Sequence, residues 1–104
     1  MNFDNFERLF VPFCKNPLYG GGKARSYYLA IKYLSEYLHL QDLQKENVRL
    51  ILGKENSLKN NTCSFYLQLL GWLEPRRQTS YLTKGYMKAA LPYFRNFAKL
   101  HNLL

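Results

Sequence analysis

Phenylalanines at positions 3, 6, 10 and 13 recur every three or four residues, which is the period of one helix face and not the two-residue alternation of a strand. The same spacing returns along the chain. Tyr27, Ile31, Leu34 and Leu38 share one face, as do Phe65, Leu69, Leu70 and Leu73. Nowhere does strict apolar–polar alternation persist. The periodicity predicts an all-α fold, a compact single-domain bundle of four to five helices over residues 1–104. At this length one core can form without disulfides or metal.

Turn and capping residues place the boundaries. The first helix is expected from Asn2 to about Cys14, ended by Asn16-Pro17 and the run Gly20-Gly21-Gly22. A second should run from about Ala24 to His39, with Lys32 and Glu36 as an i, i+4 pair. A shorter helix is expected from Leu43 to Leu52, stopped by Gly53. Asn56-Ser57 and Asn60-Asn61 read as turns or caps. A further helix spans about Thr62 to Glu74 and is closed by Pro75. Ser80 is the expected N-cap of a last helix reaching about His101, with Pro92 expected to kink or divide it.

The charge is unevenly placed. Residues 1–74 hold nine basic and seven acidic side chains, whereas residues 75–104 hold six basic ones and no acid, out of a total of +8. A basic segment on a folded domain points to a polyanionic partner, with nucleic acid ahead of an anionic membrane. The plainer reading is a solvated face that keeps the chain in solution. No apolar run reaches the roughly 18 residues of a membrane span. Met1-Asn2-Phe3-Asp4 lacks the basic start and apolar stretch of a signal peptide. Cys14 and Cys63 read as small buried hydrophobes, not as a disulfide or zinc framework. A reducing, cytoplasmic setting is the expectation. No polar stretch after Asn102 reads as a linker.

The last helix concentrates the candidate site. At about 100° per residue, Lys84, Lys88, Arg95 and Lys99 fall within about 60° of one another, opposite Met87, Ala90, Leu91, Phe94, Phe97 and Ala98. Arg76 and Arg77 precede the helix and could extend this basic ridge. Cations one turn apart suit successive phosphates, each contact releasing counterions. Lys23 and Arg25, with Ser26, form a second patch at a helix N-terminus able to hold one phosphate. Gly20-Gly21-Gly22-Lys23 is not a nucleotide-binding phosphate loop, because Pro17 stands where its first Gly is needed and Ala24 where Ser or Thr is needed.

Tyrosines crowd two segments, at 27, 28, 33 and 37 and again at 81, 86 and 93. Exposed among cations they could stack on bases; the commoner arrangement, expected here for them and for Trp72, is a core position with the hydroxyl reaching a polar partner. His39 and His101 have no partner that would make a base or a metal ligand. The acids Asp4, Glu7, Glu36, Asp42, Glu46, Glu55 and Glu74 are scattered. The chain by itself is therefore not expected to be an enzyme or to need a cofactor.

Two blocks carry a resemblance. Gly22-Lys23-Ala24-Arg25-Ser26-Tyr27-Tyr28-Leu29-Ala30-Ile31-Lys32-Tyr33-Leu34 resembles the Gly-x-Ala-x-Ser-Tyr-x-x-Ala-x-x-x-Leu pattern near the start of HNH-type restriction endonucleases. Ser80-Tyr81-Leu82-Thr83-Lys84-Gly85-Tyr86-Met87-Lys88-Ala89-Ala90-Leu91 is similar to their second helical block, Ser-Tyr-x-x-x-Gly-aromatic-x-x-Ala-Ala. Together the blocks cover about a quarter of the chain, in the family's order. The resemblance implies an N-terminal helical module that helps a separate nuclease domain engage DNA in a restriction-modification setting. The His-Asn-His metal site of those enzymes is missing, since His101-Asn102 lacks its hairpin and other ligands. In size and basic character the chain is also similar to the core-binding domain of tyrosine recombinases. The expected function is thus a non-catalytic DNA-binding module; the alternative is a protein–protein interaction adaptor with a basic, tyrosine-rich surface.

Overall fold

The structure is a computed structural model that describes residues 1–16, 23–60, 62–76 and 80–104, with side chains from residue 85 onward in the last stretch. Six helices are present among these residues: α1 (Phe3–Lys15), α2 (Ala24–Tyr37), α3 (Lys45–Leu52), α4 (Glu55–Lys59), α5 (Ser64–Leu73) and α6 (Ser80–Leu100). Five have eight residues or more, and α4 is a short extra turn of helix where Asn56-Ser57 was expected to be a turn. The described residues contain no strand, and no described helix is long and apolar enough to cross a membrane.

α6 is the organising element. It touches every other helix and packs most extensively on α2. Its six residues Met87, Ala90, Leu91, Phe94, Phe97 and Ala98 are all fully buried, the same stripe that the periodicity assigns. Against it lie Phe6 and Phe10 of α1. Phe6 stacks on Phe10 at 4.7 Å and meets Phe94 and Phe97 edge-on at 5.7 and 5.5 Å. Edge-to-face rings match a positive rim to a negative face, which adds attraction beyond area burial. The core continues through Ile31 and Leu34, Val48 and Ile51, Leu58, and Leu69 and Leu73, so every helix contributes to one cluster.

Local chemistry sets the ends. The Asn2 side chain accepts the Asn5 N–H at 2.8 Å and caps α1. α2 ends at Tyr37, earlier than the periodicity predicts, because His39 adopts φ 59°. There the Leu40 N–H reaches the Ser35 carbonyl and the His39 N–H that of Glu36, a Schellman closure. Asn102 (φ 56°) closes α6 in the same way, with Leu103 N–H on the Ala98 carbonyl. α3 starts at Lys45, which leaves Leu43 as a buried loop residue whose N–H bonds the Met1 carbonyl at 2.8 Å.

Pro92 does not divide α6, which continues through it. The carbonyl that a proline at this position leaves unserved belongs to Lys88; both residues are exposed, so water can serve it. Pro12 lies inside α1 with the same outward placement, opposite the exposed Arg8. Two other expectations change. Cys63 is half-buried; its sulfur accepts the Tyr66 N–H and the thiol donates to the Ser57 carbonyl, capping α5. On α5, Tyr66 is buried, whereas Phe65 and Leu70, expected on the buried face, are half-buried. Ion pairing also differs: Lys32 and Glu36 are not among the ion pairs of the described residues, which are Glu7–Arg25 and Glu55–Arg95. Burial raises the Tyr28 phenol, while Lys32 beside it pulls the other way.

Cys14 is fully buried, and burial pushes its thiol up from 9.0 to about 12. Above pH 9 the unfolded chain loses this proton while the folded chain keeps it. Stability therefore falls as pH rises from 9 towards 12, by at most about 1.4 kcal/mol per pH unit. Urea midpoints taken from pH 8 to 10.5 should drop progressively above 9, and more shallowly in Cys14→Ala. Equal slopes in the two proteins would mean that the thiol ionises freely in the fold.

Candidate nucleic-acid interface

The buried stripe of α6 leaves its opposite side to solvent, and the expected ridge residues divide there. Lys88 and Lys99 are exposed. They stand eleven residues apart, which brings them within about 20° of each other around the helix. Arg95, between them, is engaged: its Nη2 donates to Glu55 Oε1 at 2.6 Å, and the two side chains are 35% and 22% exposed. This corrects the even ridge predicted from spacing, because α4 brings an acid from 40 residues away against its centre. Lys84 sits one turn before Lys88 on the α6 backbone, its side chain outside the described residues. Arg77 also lies outside them.

Arg76 is exposed and points back along α5. Its Nη1 donates to the Trp72 carbonyl at 2.7 Å, and its guanidinium lies over the Trp72 ring, 4.2 Å from the centroid. Trp72 is half-buried, contrary to the core position expected of it. Tyr33 and Tyr37 of α2 meet its ring at 6.4 and 5.4 Å, and Tyr37 meets Phe65 at 5.6 Å. Lys54 covers Phe65 at 4.9 Å. The result is a belt of half-buried aromatics with a cation at each end. No spacing in the sequence marks it, since it joins α2, α5 and the residues just before α4 and after α5. In sequence, Lys54 directly precedes Glu55, the partner of Arg95.

The second patch is separate from the ridge. The Lys23 Nζ donates to the Tyr86 hydroxyl at 3.3 Å and lies 5.2 Å from that ring. Tyr86 and Tyr93 sit about 120–160° around α6 from Lys88 and Lys99, where Tyr27 stacks on Tyr93 at 5.2 Å. Arg25 is 3.8 Å from Glu7 and lies over Tyr28. Lys23 thus lies on the far flank of α6, while the contacts of Arg25 are with α1 and α2. Of the described tyrosines, Tyr28 and Tyr66 are buried and the others half-buried. His39 is exposed at the end of α2, and His101 rests on Phe97 at 4.3 Å. No three His, Cys, Asp or Glu side chains among the described residues converge as metal ligands.

Glu55→Gln should release Arg95 to the ridge. The expected outcome is a log–log salt dependence of DNA binding steeper by about 0.7–0.9, one added phosphate contact. Folding stability should fall by about 1 kcal/mol, the typical worth of such a partly exposed charged hydrogen bond. An unchanged salt slope would place Arg95 outside the interface.

Compared with family profiles, curated proteins and solved structures, the chain finds no match in any of the three.

Proposed function

We propose that this chain is a non-catalytic DNA-binding module whose outer α6 surface contacts the phosphate backbone. One observation carries the reading: the apolar face of α6 is wholly spent on the core, while Lys88 and Lys99 stand exposed in a segment, residues 75–104, that contains no acid. A helix so anchored presents its cations on a rigid support. Arg76, Arg77 and Lys84 complete the contact set, and Lys23 and Arg25 offer a secondary contact away from the ridge. Such contacts position a protein without reading sequence.

The two blocks that resemble HNH-type restriction endonucleases fall in α2 and α6, and those helices pack on each other. This supports a module that works with a separate nuclease or recombinase domain in a reducing cytoplasm, and that needs no cofactor of its own. The adaptor alternative draws on exposed tyrosines as well as the basic ridge, and the half-buried positions of the described tyrosines give the first of these less surface to use.

Fluorescence anisotropy with labelled single- and double-stranded DNA over a salt series tests the reading. With five contacts, micromolar or tighter binding should weaken with log–log slopes of about −4.5 on duplex and about −3.5 on single strands. Lack of binding at low salt overturns the proposal and favours a protein partner.

A further inference from the structure

We propose that a cavity between α1 and the last turns of α6 binds a small amphipathic carboxylate. Its apolar body rests on Phe13 and Leu100, and its anionic head meets Lys99 and Asn96. The assignment is independent of DNA binding, although Lys99 serves both surfaces.

The cavity has a volume of about 430 Å³ and is lined by Phe13, Asn96, Lys99 and Leu100. That size falls within the range of roughly 300–1,000 Å³ common to small-molecule sites. Two turns of a helix about 10 Å across would need about 850 Å³, so a small molecule fits better than a helical peptide. The apolar wall is held in place. Phe13 is half-buried, stacked on Phe10 at 6.2 Å and met edge-on by Phe97 at 5.6 Å. Leu100 is 61% exposed and gives the cavity an apolar surface that the core leaves open.

The polar side is equally defined. Asn96 and Lys99 are exposed and three residues apart on α6, so their side chains are neighbours. Among the described residues, neither side chain has a hydrogen-bond or ion-pair partner. An ammonium beside an amide NH2 can donate to both oxygens of a carboxylate. The acids of the two lining helices stay clear of the place. α6 has none, and on α1 Asp4 and Glu7 lie about 180° and 120° around the helix from Phe13. Glu7 is in addition 3.8 Å from Arg25. A cationic mouth on an apolar wall favours an anion with an apolar body over a neutral amphiphile or a bare anion.

Amide NMR spectra of the full chain are followed at low salt through titrations with octanoate, octanol and acetate. Saturable shifts centred on Phe13, Asn96, Lys99 and Leu100 with octanoate are the expected result, and acetate should give none. Octanol lacks the charge and should bind about fivefold more weakly, the effect of one partly exposed ion pair. Lys99→Met keeps an apolar stem; it should bring octanoate down to the affinity of octanol and leave octanol unchanged. Leu100→Ser removes part of the wall and should weaken both ligands, and the exposure of Leu100 lets the fold tolerate it. Equal affinities for octanoate and octanol in the parent chain would overturn the proposal. So would shifts that spread over the surface without saturating, or an acetate response equal to that of octanoate. Absence of any octanoate shift would overturn it outright, whatever the chain does with DNA.

Discussion

Replacing Lys88 and Lys99 together with glutamate is expected to weaken binding to any DNA by about two orders of magnitude at 50 mM salt. Each phosphate contact contributes about 0.9 to the salt exponent on duplex, which at that concentration corresponds to roughly a factor of ten to fifteen in affinity. Two lost contacts therefore account for about a hundredfold, and the reversed charges add repulsion. The fold should tolerate the change, because both side chains are exposed and the stripe that anchors α6 is untouched. Lys99 lies in the last turn of α6, where a cation favours the carbonyl end of the helix dipole; its reversal should cost only about 0.3–1 kcal/mol. Anisotropy for affinity, with circular dichroism to verify the helix content, measures both effects. A double variant that binds DNA as well as the parent would move the interface off this face of α6.

Phe6→Ala is expected to cost about 3–5 kcal/mol of folding stability. Phe6 is fully buried and its ring meets Phe10, Tyr28, Phe94 and Phe97, so truncation removes transfer energy and four aromatic contacts and leaves a cavity. Helices α1, α2 and α6 all border that space, which limits how far it can collapse. Against a total of about 5–15 kcal/mol for a domain, such a loss is about a fifth or more. In urea the midpoint should fall by about 2 M. Leu50→Ala serves as the contrast: Leu50 is 51% exposed and its truncation should stay within about 0.5 kcal/mol. Similar midpoints for the two variants would contradict the placement of the aromatic core.

Much of the bundle was legible from periodicity. The α6 stripe matched residue for residue, because six apolar side chains at helical spacing have one way to share a face. The first helix also matched within a residue at each end, since Asn2 is a good N-cap and Asn16-Pro17 cannot continue a helix. The C-terminal boundaries of α2 and α6 shifted through backbone closure. His39 and Asn102 take the left-handed conformation, which non-glycine residues seldom advertise in sequence. Cys63 caps α5 with sulfur, a weak acceptor that no capping preference anticipates. Pro92 left α6 whole because its missing hydrogen bond falls on a solvated face.

The candidate site divides along the same line. Charge and helical period by themselves determined that the C-terminal segment is basic and that its cations share a side of one helix, because both properties depend only on neighbours within a few residues. Which cations are available was decided by tertiary structure. Glu55 reaches Arg95 across 40 residues of chain, Tyr86 draws Lys23 to the far flank, and Arg76 folds onto Trp72. The aromatic belt is likewise a product of assembly, since α2 and α5 bring Tyr33, Tyr37, Phe65 and Trp72 together only once each has buried its own apolar face. Contacts between helices depend on how their packed faces orient the remaining side chains, and no local pattern encodes that orientation.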